Sequence, residues 1–326
     1  MKDKIIRMLR QKDGYVSGED ISDVLGVSRT AVWKTINTLR DEEYIIDSSS
    51  RKGYKLIESP DVLSQVEIEP YLSTKYIGRN IIYYDTLDST NNKARDMAIE
   101  GAEEGLVVIA EEQTKGRGRL GRVWTTPKLS SAAFSIAVRP SIKPEDASGL
   151  TLIMGDAVCR AIRKVTGLNA KIKWPNDIIV NGKKVCGILT EMNAEIERIN
   201  YIVLGVGINI NVDKFPEDIK HIATSLNLEL GKLVSRKEIV AEVFNEFEML
   251  YDDFKENGLK NIMDEFKSFS VTLGKKVRVI SINEEFEGEA IDITDDGLLV
   301  VKLEDGSTRN VISGDVSVRG ISGYAE

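Results

Sequence analysis

The apolar positions in the first sixty residues follow two different periods. In residues 3–11 and 29–44, apolar side chains recur every three or four positions, which predicts a first and a third helix. Between them, Ser17 begins a second, shorter helix that ends at Gly26, a residue type common just after helices. Residues 44–57 read YIIDSSSRKGYKLI, and two apolar runs around a polar turn predict a β-hairpin. This order of elements is typical of a helix-turn-helix with a β-hairpin wing.

The polar side of the third helix indicates that this segment binds DNA. Ser28 caps the helix, whose exposed face would enter the major groove, and the turn at 48–53 would reach phosphate or the minor groove. The predicted DNA contacts are Ser28, Arg29, Thr30, Trp33, Lys34, Asn37, Arg51 and Lys52. The alternative is a small helical domain with solvated charges. Residues 1–60 hold 11 Lys and Arg against 10 Asp and Glu, a near-neutral balance that favours a dimer reading two half-sites.

From Ile81 onward, extended apolar runs alternate with helical patterns. Helices are predicted at 91–101 and at 148–165, and a hairpin turn is predicted at Asn181-Gly182. The extended runs are 81–89, 106–114, 130–140, 171–177 and 201–210. This many strands with a few flanking helices predicts an α+β domain built on a mixed sheet.

The end of the chain has a different pattern. Two Asp-Gly turns, at 295–297 and 304–306, separate alternating strands, which predicts a small β-barrel. Pro60 marks the end of the DNA-binding segment. The predicted domains are 1–60, 61–270 and 271–326.

Composition narrows the classes of function. No stretch of the 326 residues approaches the roughly 18 to 20 apolar residues that cross a membrane, and the N-terminus has no signal-peptide pattern, so we expect a cytoplasmic protein without a membrane partner. Cys159 and Cys186 lie far apart, which argues against a cysteine zinc site or a disulfide framework. His221 is the single histidine, so a histidine-based triad or metal site is disfavoured. Any chemistry is expected to depend on Lys, Arg and Asp.

The string KGRGRLGR at 115–122 fits the G-x-G-x-x-G spacing of a dinucleotide-binding turn. That motif must open a helix, whereas this one is followed by Pro127 and a β-rich run, so the Rossmann interpretation fails. The remaining interpretation is a flexible loop whose Arg117, Arg119 and Arg122 suit phosphate and carboxylate groups. A solvated basic loop is the alternative.

Four other polar or glycine-rich features accompany this loop. They are the strand-to-helix junction 88–91, KWPND at 173–177, Lys184 beside Gly187 in 182–189, and the alternating glycines of 205–211. Ser89 or Thr90 could simply cap a helix, but the whole set offers cations, a carboxylate and a glycine-lined slot. Such a set suits an enzyme that joins a carboxylic acid to a nucleotide through displacement at phosphorus.

In order and spacing, DSTN, GRGRLGR, KWPND, KVCGIL and GVGIN resemble the motifs of the biotin-protein ligases. The winged-helix start is similar to the bifunctional members, which also repress the biotin operon. The resemblance implies a class II synthetase-like central domain and an SH3-like C-terminal barrel. It implies that biotin and ATP form biotinyl-5'-adenylate and pyrophosphate, with magnesium as the metal. A lysine of the biotin carboxyl carrier protein would then accept the biotinyl group.

The same resemblance assigns roles to individual residues. Those assigned to biotin are Ser89, Thr90, Asn91, Gln113, Arg117, Gly118, Arg119, Trp124, Lys184, Gly187, Gly205 and Gly207. Those assigned to the nucleotide are Arg119, Arg122, Asn176, Lys184 and Asn209. The catalytic residues would be Lys184, Arg119 and Asp177, and Asp177 would serve either magnesium or the incoming lysine amine. Residues 212–225 would order over adenine.

Two other functions remain as alternatives, and one regulatory expectation follows. The chain could be a ligand-sensing repressor without ligase activity, but the Lys184, Asp177 and arginine set argues for catalysis. It could also be a lipoate or octanoate ligase, which shares the sheet and the lysine. If the adenylate orders 115–122 and 212–225, it would promote a homodimer that binds operator DNA.

Overall fold

The computed structural model describes residues 1–281, 284–313 and 317–320. By internal contacts the chain divides into two compact units, Met1–Val62 and Leu63–Glu326. Within the predicted domain 271–326, residues 282–283, 314–316 and 321–326 lie outside the described residues.

The first unit has the predicted helix-turn-helix and wing. Its elements are α1 (Lys2–Gln11), α2 (Gly18–Leu25), α3 (Arg29–Asp41), β1 (Ile45–Ser49) and β2 (Gly53–Glu58). Ser17 accepts a hydrogen bond from the Asp20 amide at 2.9 Å, and Ser28 accepts one from the Ala31 amide at 3.2 Å. Gly26 ends α2 in the left-handed region at φ 65°, which a side chain would disfavour. The predicted caps are therefore present.

The core of the first unit comes from the predicted apolar stripes. The buried apolar side chains from the three helices are Ile5, Ile6, Leu9, Ile21, Val32, Ile36 and Leu39. Trp33 lies on the other side of α3 and is 54% exposed. An exposed indole beside a complete core is available for contact with another molecule.

A seven-stranded mixed sheet forms the centre of the second unit. The strands are β3 (Asn80–Leu87), β4 (Leu106–Gln113), β5 (Ser131–Val138), β6 (Lys171–Lys173), β7 (Asp177–Val180), β8 (Lys183–Ala194) and β9 (Ile199–Asn209). Their order is β3-β4-β5-β9-β8-β7-β6, with β3 and β4 parallel and every other neighbouring pair antiparallel. The prediction of an α+β domain on a mixed sheet is confirmed.

Helices surround this sheet and complete its core. They are α4 (Gln65–Ile68), α5 (Thr90–Ile99), α6 (Gly149–Thr166), α7 (Leu226–Leu230), α8 (Arg236–Asn257) and α9 (Met263–Phe269). Most of α6 is buried, as expected for a helix packed between a sheet and other helices. Among the described residues, no helix is long and apolar enough to cross a membrane.

A fully buried ion pair fixes α8 against the sheet. Arg236, at the start of α8, donates from Nη1 to Glu111 Oε2 at 2.6 Å and to the Ser131 carbonyl at 2.9 Å. Both charged side chains are fully buried, and loss of one partner from such a pair costs about 3–5 kcal/mol. Ser131 pairs with Asn209 across β5 and β9, so this contact lies directly behind the glycine-rich strand.

The C-terminal part is the predicted set of antiparallel strands. They are β10 (Lys276–Ile280), β11 (Glu285–Ile293), β12 (Leu299–Lys302), β13 (Thr308–Val311) and β14 (Ser317–Gly320), in the order β13-β12-β11-β10-β14. Gly297 and Gly306 have φ of 83° and 85° in the two predicted turns. The Trp174 indole donates to the Gly297 carbonyl at 3.2 Å, which ties this sheet to the KWPND segment.

Candidate active site

The floor of the candidate site is a patch of sheet that lacks side chains. Gly187 on β8 pairs with Gly207 on β9, and Gly205 pairs with Leu189 on one side and Ser135 on the other. A Cβ at Gly205 would collide with Asn91, and one at Gly207 would collide with the Trp124 indole. The alternating glycines therefore create a slot that other residue types would fill.

One end of this slot is a buried polar cluster. The Thr90 amide donates to Gln113 Oε1 at 2.9 Å, and the Gln113 side-chain amide donates to Thr126 at 3.0 Å. Ser135 donates to Asn91 Oδ1 at 2.6 Å. Ser89, Thr90, Asn91 and Ser135 are all buried. Hydroxyl and amide groups held in this way can recognise a small polar head group by hydrogen bonds.

The glycine-arginine loop folds back on itself above the slot. The Gly118 amide donates to the Arg122 carbonyl at 2.7 Å, and the Trp124 amide donates to the Gly116 carbonyl at 3.0 Å. A Cβ at Gly116 would collide with the Trp124 carbonyl, so only glycine allows this close approach. Leu120 adopts φ 55° within the loop.

The Trp124 indole lies across the glycine floor. A Cβ at Gly187 would stand 3.1 Å from its ring, and the Gly207 position lies directly beneath it. The indole Nε1 is buried without a hydrogen-bond partner in the part of the chain that the structure describes. A buried unpaired N–H carries a free-energy cost of about 1–3 kcal/mol, which a bound acceptor would relieve.

Cationic groups gather at the other end of the slot. Lys184 Nζ lies 2.5 Å from Asp177 Oδ1 and 5.5 Å from the centre of the Trp124 ring. Arg119 donates to Asn176 Oδ1 at 2.7 Å and to the Ser313 carbonyl at 2.7 Å. A lysine and an arginine at one end of the slot suit an anion there.

Lys173 adds a buried amine near this end. Its Cα pairs with that of Asp177 between β6 and β7, and the residue is only 5% exposed. Burial lowers the pKa of Lys173 to about 8; Asp177 opposes that change, and the charge of Lys184 adds to it. In the sequence, Lys173 was notable only as the first residue of KWPND, a position that indicates no role.

The segment 212–225 is attached to Lys184 through the backbone. The Lys184 amide donates to the Ile222 carbonyl at 2.8 Å, and the Thr224 amide donates to the Lys184 carbonyl at 2.9 Å. Asn209 donates from Nδ2 to the Thr224 carbonyl at 3.2 Å. A change in the conformation of this segment would therefore shift the backbone of Lys184 directly.

The structure brings most of the predicted site residues into one cavity. The cavity is lined by Ser89, Thr90, Asn91, Gln113, Arg117, Gly118, Arg119, Trp124, Asn176, Lys184, Gly187, Ile188, Leu189, Gly205, Val206 and Gly207. Of the other predicted residues, Asp177 contacts the lining through Lys184, Asn209 is turned toward Thr224, and Arg122 is exposed on the loop.

Sequence reasoning missed two polar residues of this region. Ser135 lies in an apolar run, and a lone polar residue in such a run is a signal that could have been used. Glu191 accepts hydrogen bonds from Arg117 at 2.8 Å and from Asn91 at 2.7 Å. Its position after KVCGIL gave no sign of these contacts, because they depend on how three separate segments meet.

Most of the residues predicted to contact DNA are exposed. Ser28, Arg29, Thr30, Trp33, Lys34, Arg51 and Lys52 are exposed, and Asn37 is half-buried. Arg40, which the sequence analysis did not select, donates to Asn37 Oδ1 at 3.3 Å and to the Ile46 carbonyl at 2.8 Å. Arg40 therefore fixes the third helix against the wing.

Three segments of the chain match known protein families. Residues 2–55 match an HTH domain, residues 83–209 match the Biotin/lipoate A/B protein ligase family, and residues 272–319 match the Biotin protein ligase C terminal domain. The fold and the site thus define a protein ligase of the biotin/lipoate class with a DNA-binding head.

Full-length relatives narrow the class further. The Bifunctional ligase/repressor BirA of Bacillus subtilis is 39% identical over 97% of this chain and 98% of its own. The Escherichia coli protein of the same name is 29% identical over 97% of this chain and 96% of its own. A biotin protein ligase from Aquifex aeolicus, solved in complex with biotin and ATP, has a TM-score of 0.66 and 29% identity, covering 74% of this chain and 99% of that one. This chain belongs to the family of bifunctional biotin ligase/repressors.

The glycine floor predicts a specific response to substitution. In Gly207→Ala, the added methyl group displaces the Trp124 indole, so Trp124 becomes more accessible to solvent. We therefore expect acrylamide to quench the fluorescence of Trp124 more strongly. The measurement uses a Trp33→Phe background, which removes the exposed tryptophan and leaves buried Trp174 as a constant contribution.

Gly155→Ala on α6 is the matched control for this measurement. Its added Cβ would meet only ordinary contacts at 3.8 Å or more, so quenching should stay at the parental value. Equal quenching in Gly207→Ala and the parent would contradict the proposed contact between the indole and the floor.

Proposed function

We propose that this protein activates biotin with ATP to give biotinyl-5'-AMP and pyrophosphate, and then transfers biotin to a lysine of the biotin carboxyl carrier protein. The observation that carries the proposal is the slot itself, which joins a buried polar end to a cationic end across a floor without side chains. Biotin has the same order of groups, with a polar ureido ring, an apolar chain and a carboxylate.

The slot would hold biotin in one direction. The ureido ring would meet Ser89, Thr90, Asn91 and Gln113, because these side chains supply both donors and acceptors. The apolar part would lie on the floor formed by Gly187, Gly205 and Gly207. The Trp124 indole packs on Gly187 and Gly207, so it would move aside and then cover the bound ligand. The carboxylate would then reach Lys184 and Arg119 at the cationic end.

Adenylation follows from this placement. A carboxylate oxygen of biotin attacks the α-phosphorus of ATP, the new P–O bond forms, and the bond to the leaving pyrophosphate breaks. Negative charge is shared among the phosphate oxygens in this transition state, and Lys184 and Arg119 would stabilise it. Arg122, Asn176 and Asn209 are proposed to assist nucleotide binding, and residues 212–225 are proposed to cover adenine.

Two roles for Asp177 follow from its contact with Lys184. As a carboxylate it would hold Mg²⁺ together with nucleotide phosphates, since Mg²⁺ commonly uses one or two carboxylates and several waters. Among the described residues there is no group of three or more His, Cys, Asp or Glu for a metal, so phosphate would have to complete that shell. In the second role, Asp177 would accept a proton from the acceptor lysine as its amine attacks the biotinyl carbonyl. The new amide C–N bond forms, the C–O bond to the phosphate breaks, and AMP leaves.

Lys184→Ala provides a test of the transition-state role. We expect the rate of adenylate formation to fall by about 10²- to 10³-fold, because a charged donor to the transition state is lost. Biotin affinity should fall far less, and rapid-quench kinetics with labelled biotin can be compared with calorimetric titration. Equal losses of rate and affinity would contradict the assignment.

The enzyme assignment itself depends on group transfer. Labelled biotin, ATP and an apo carrier domain should give a labelled carrier, whereas lipoate or octanoate in place of biotin should not. No label on the carrier would favour a ligand-sensing repressor without ligase activity. Label from lipoate alone would favour the related ligase.

We further propose that the winged helix binds operator DNA of biotin synthesis genes, with biotinyl-5'-AMP as corepressor. The exposed side of α3 and the wing supplies the contacts, and the adenylate would promote a homodimer by ordering 115–122 and 212–225. The corresponding functional domains are 1–60 for DNA, 61–270 for biotin and ATP, and 271–326 as the C-terminal barrel. A protein that uses both ATP and operator DNA would act in the cytoplasm.

Sedimentation with and without biotin plus ATP checks this regulation. We expect the monomer–dimer balance to shift toward dimer with ligand, and operator binding to fall steeply as salt rises. Removal of residues 1–60 should abolish operator binding while ligation continues. An unchanged monomer–dimer balance would refute ligand-promoted dimerisation.

A further inference from the structure

One carboxylate oxygen connects the glycine-arginine loop to the polar end of the slot. Arg117 Nη2 donates to Glu191 Oε2 at 2.8 Å, and Asn91 Nδ2 donates to the same oxygen at 2.7 Å. Glu191 lies on β8, opposite Val203 of β9, and so belongs to the rigid sheet. The loop is thereby attached to the sheet beside Asn91.

This contact changes the expected role of Arg117. The guanidinium already meets a carboxylate at 2.8 Å, so much of its charge is compensated before any ligand binds. Arg117 is therefore placed to hold the loop to the sheet.

The loop is held at two points with different chemistry. At its far end, Trp124 packs on Gly187 and Gly207, which is an apolar contact. At its near end, the charged contact between Arg117 and Glu191 provides the attachment. Between these two points, the Gly118 amide donates to the Arg122 carbonyl, so the backbone of the segment is closed on itself.

We propose that Glu191 is a positioning residue that holds the 115–122 loop closed over the slot through Arg117, and thereby retains the reaction intermediate. This inference rests on the proposed ligase function for the identity of the intermediate. Glu191 itself does not line the cavity, and its effect is transmitted through Arg117 and Asn91. Its loss should therefore speed release of biotinyl-5'-AMP more than it slows formation of that adenylate.

The expected change in the release rate follows from the solvent exposure of the Arg117–Glu191 pair. The Arg117 and Glu191 side chains are 39% and 31% exposed, so the pair is screened by solvent. Pairs of this kind correspond to a change in an equilibrium of about 1.5- to fivefold. Release of the adenylate should speed up by about that factor in Glu191→Gln, which retains an oxygen acceptor for Asn91.

The test uses the full chain loaded with labelled biotin and ATP and then chased with unlabelled biotin. Loss of bound label gives the release rate, and a rapid-quench experiment gives the rate of adenylate formation. Glu191→Gln and Arg117→Gln should each speed release, and the double variant should release no faster than either single variant. Glu197→Gln, an exposed acid further along the same hairpin, should behave as the parent.

A measurement without substrates separates loop closure from the ligase function. In the Trp33→Phe background, Glu191→Gln should increase acrylamide quenching of Trp124, because the loop is less firmly closed. Unchanged quenching, or additive effects of the two substitutions on release, would overturn the role of Glu191. Increased quenching in a protein that forms no adenylate would support closure by Glu191 and refute the proposed reaction.

Discussion

The site depends on the absence of side chains at three neighbouring positions of the sheet. Gly187, Gly205 and Gly207 lie on paired strands, and a methyl group at Gly205 or Gly207 would collide with Asn91 or Trp124. The glycines therefore let Asn91 and the Trp124 indole pack directly on the backbone of the sheet, between a polar end and a cationic end. Under the proposed function, these two ends set the direction in which a flat ligand with one carboxylate would bind.

The strands of this floor are held from behind and at an edge. Behind the floor, the buried Arg236–Glu111 pair fixes α8 to β4 and reaches the Ser131 carbonyl, next to Asn209. At the edge of β8, the Ile222 carbonyl and the Thr224 amide are bonded to the backbone of Lys184. A floor fixed in this way suits a reaction whose intermediate must be kept from water until the acceptor arrives.

The sequence was informative wherever a local rule applied. The bounds of most helices and strands were predicted to within a few residues. The signals used were helix caps such as Ser17 and Ser28, turn glycines such as Gly297, and the apolar periods, and each of these depends on a few adjacent residues. The strand order could not be predicted in the same way, because β5 pairs with β9 across a long stretch of chain.

The same division holds for the site. Motif spacing identified the glycines, the polar junction and Lys184, and these residues line one cavity. It could not identify Glu191, whose partner Arg117 lies 74 positions away, nor the turn of Asn209 toward Thr224. These contacts arise from tertiary packing of separate segments, which no local pattern records.

The most direct measurement is a crystal structure of the full chain grown with biotin and ATP. The account predicts one biotinyl-5'-AMP molecule in the slot, with the ureido ring hydrogen-bonded to Thr90 and Asn91. It also predicts the α-phosphate at about 3 Å from Lys184 Nζ and from the Arg119 guanidinium. An adenylate bound elsewhere, or one that leaves both Lys184 and Arg119 out of contact with its phosphate, would contradict it.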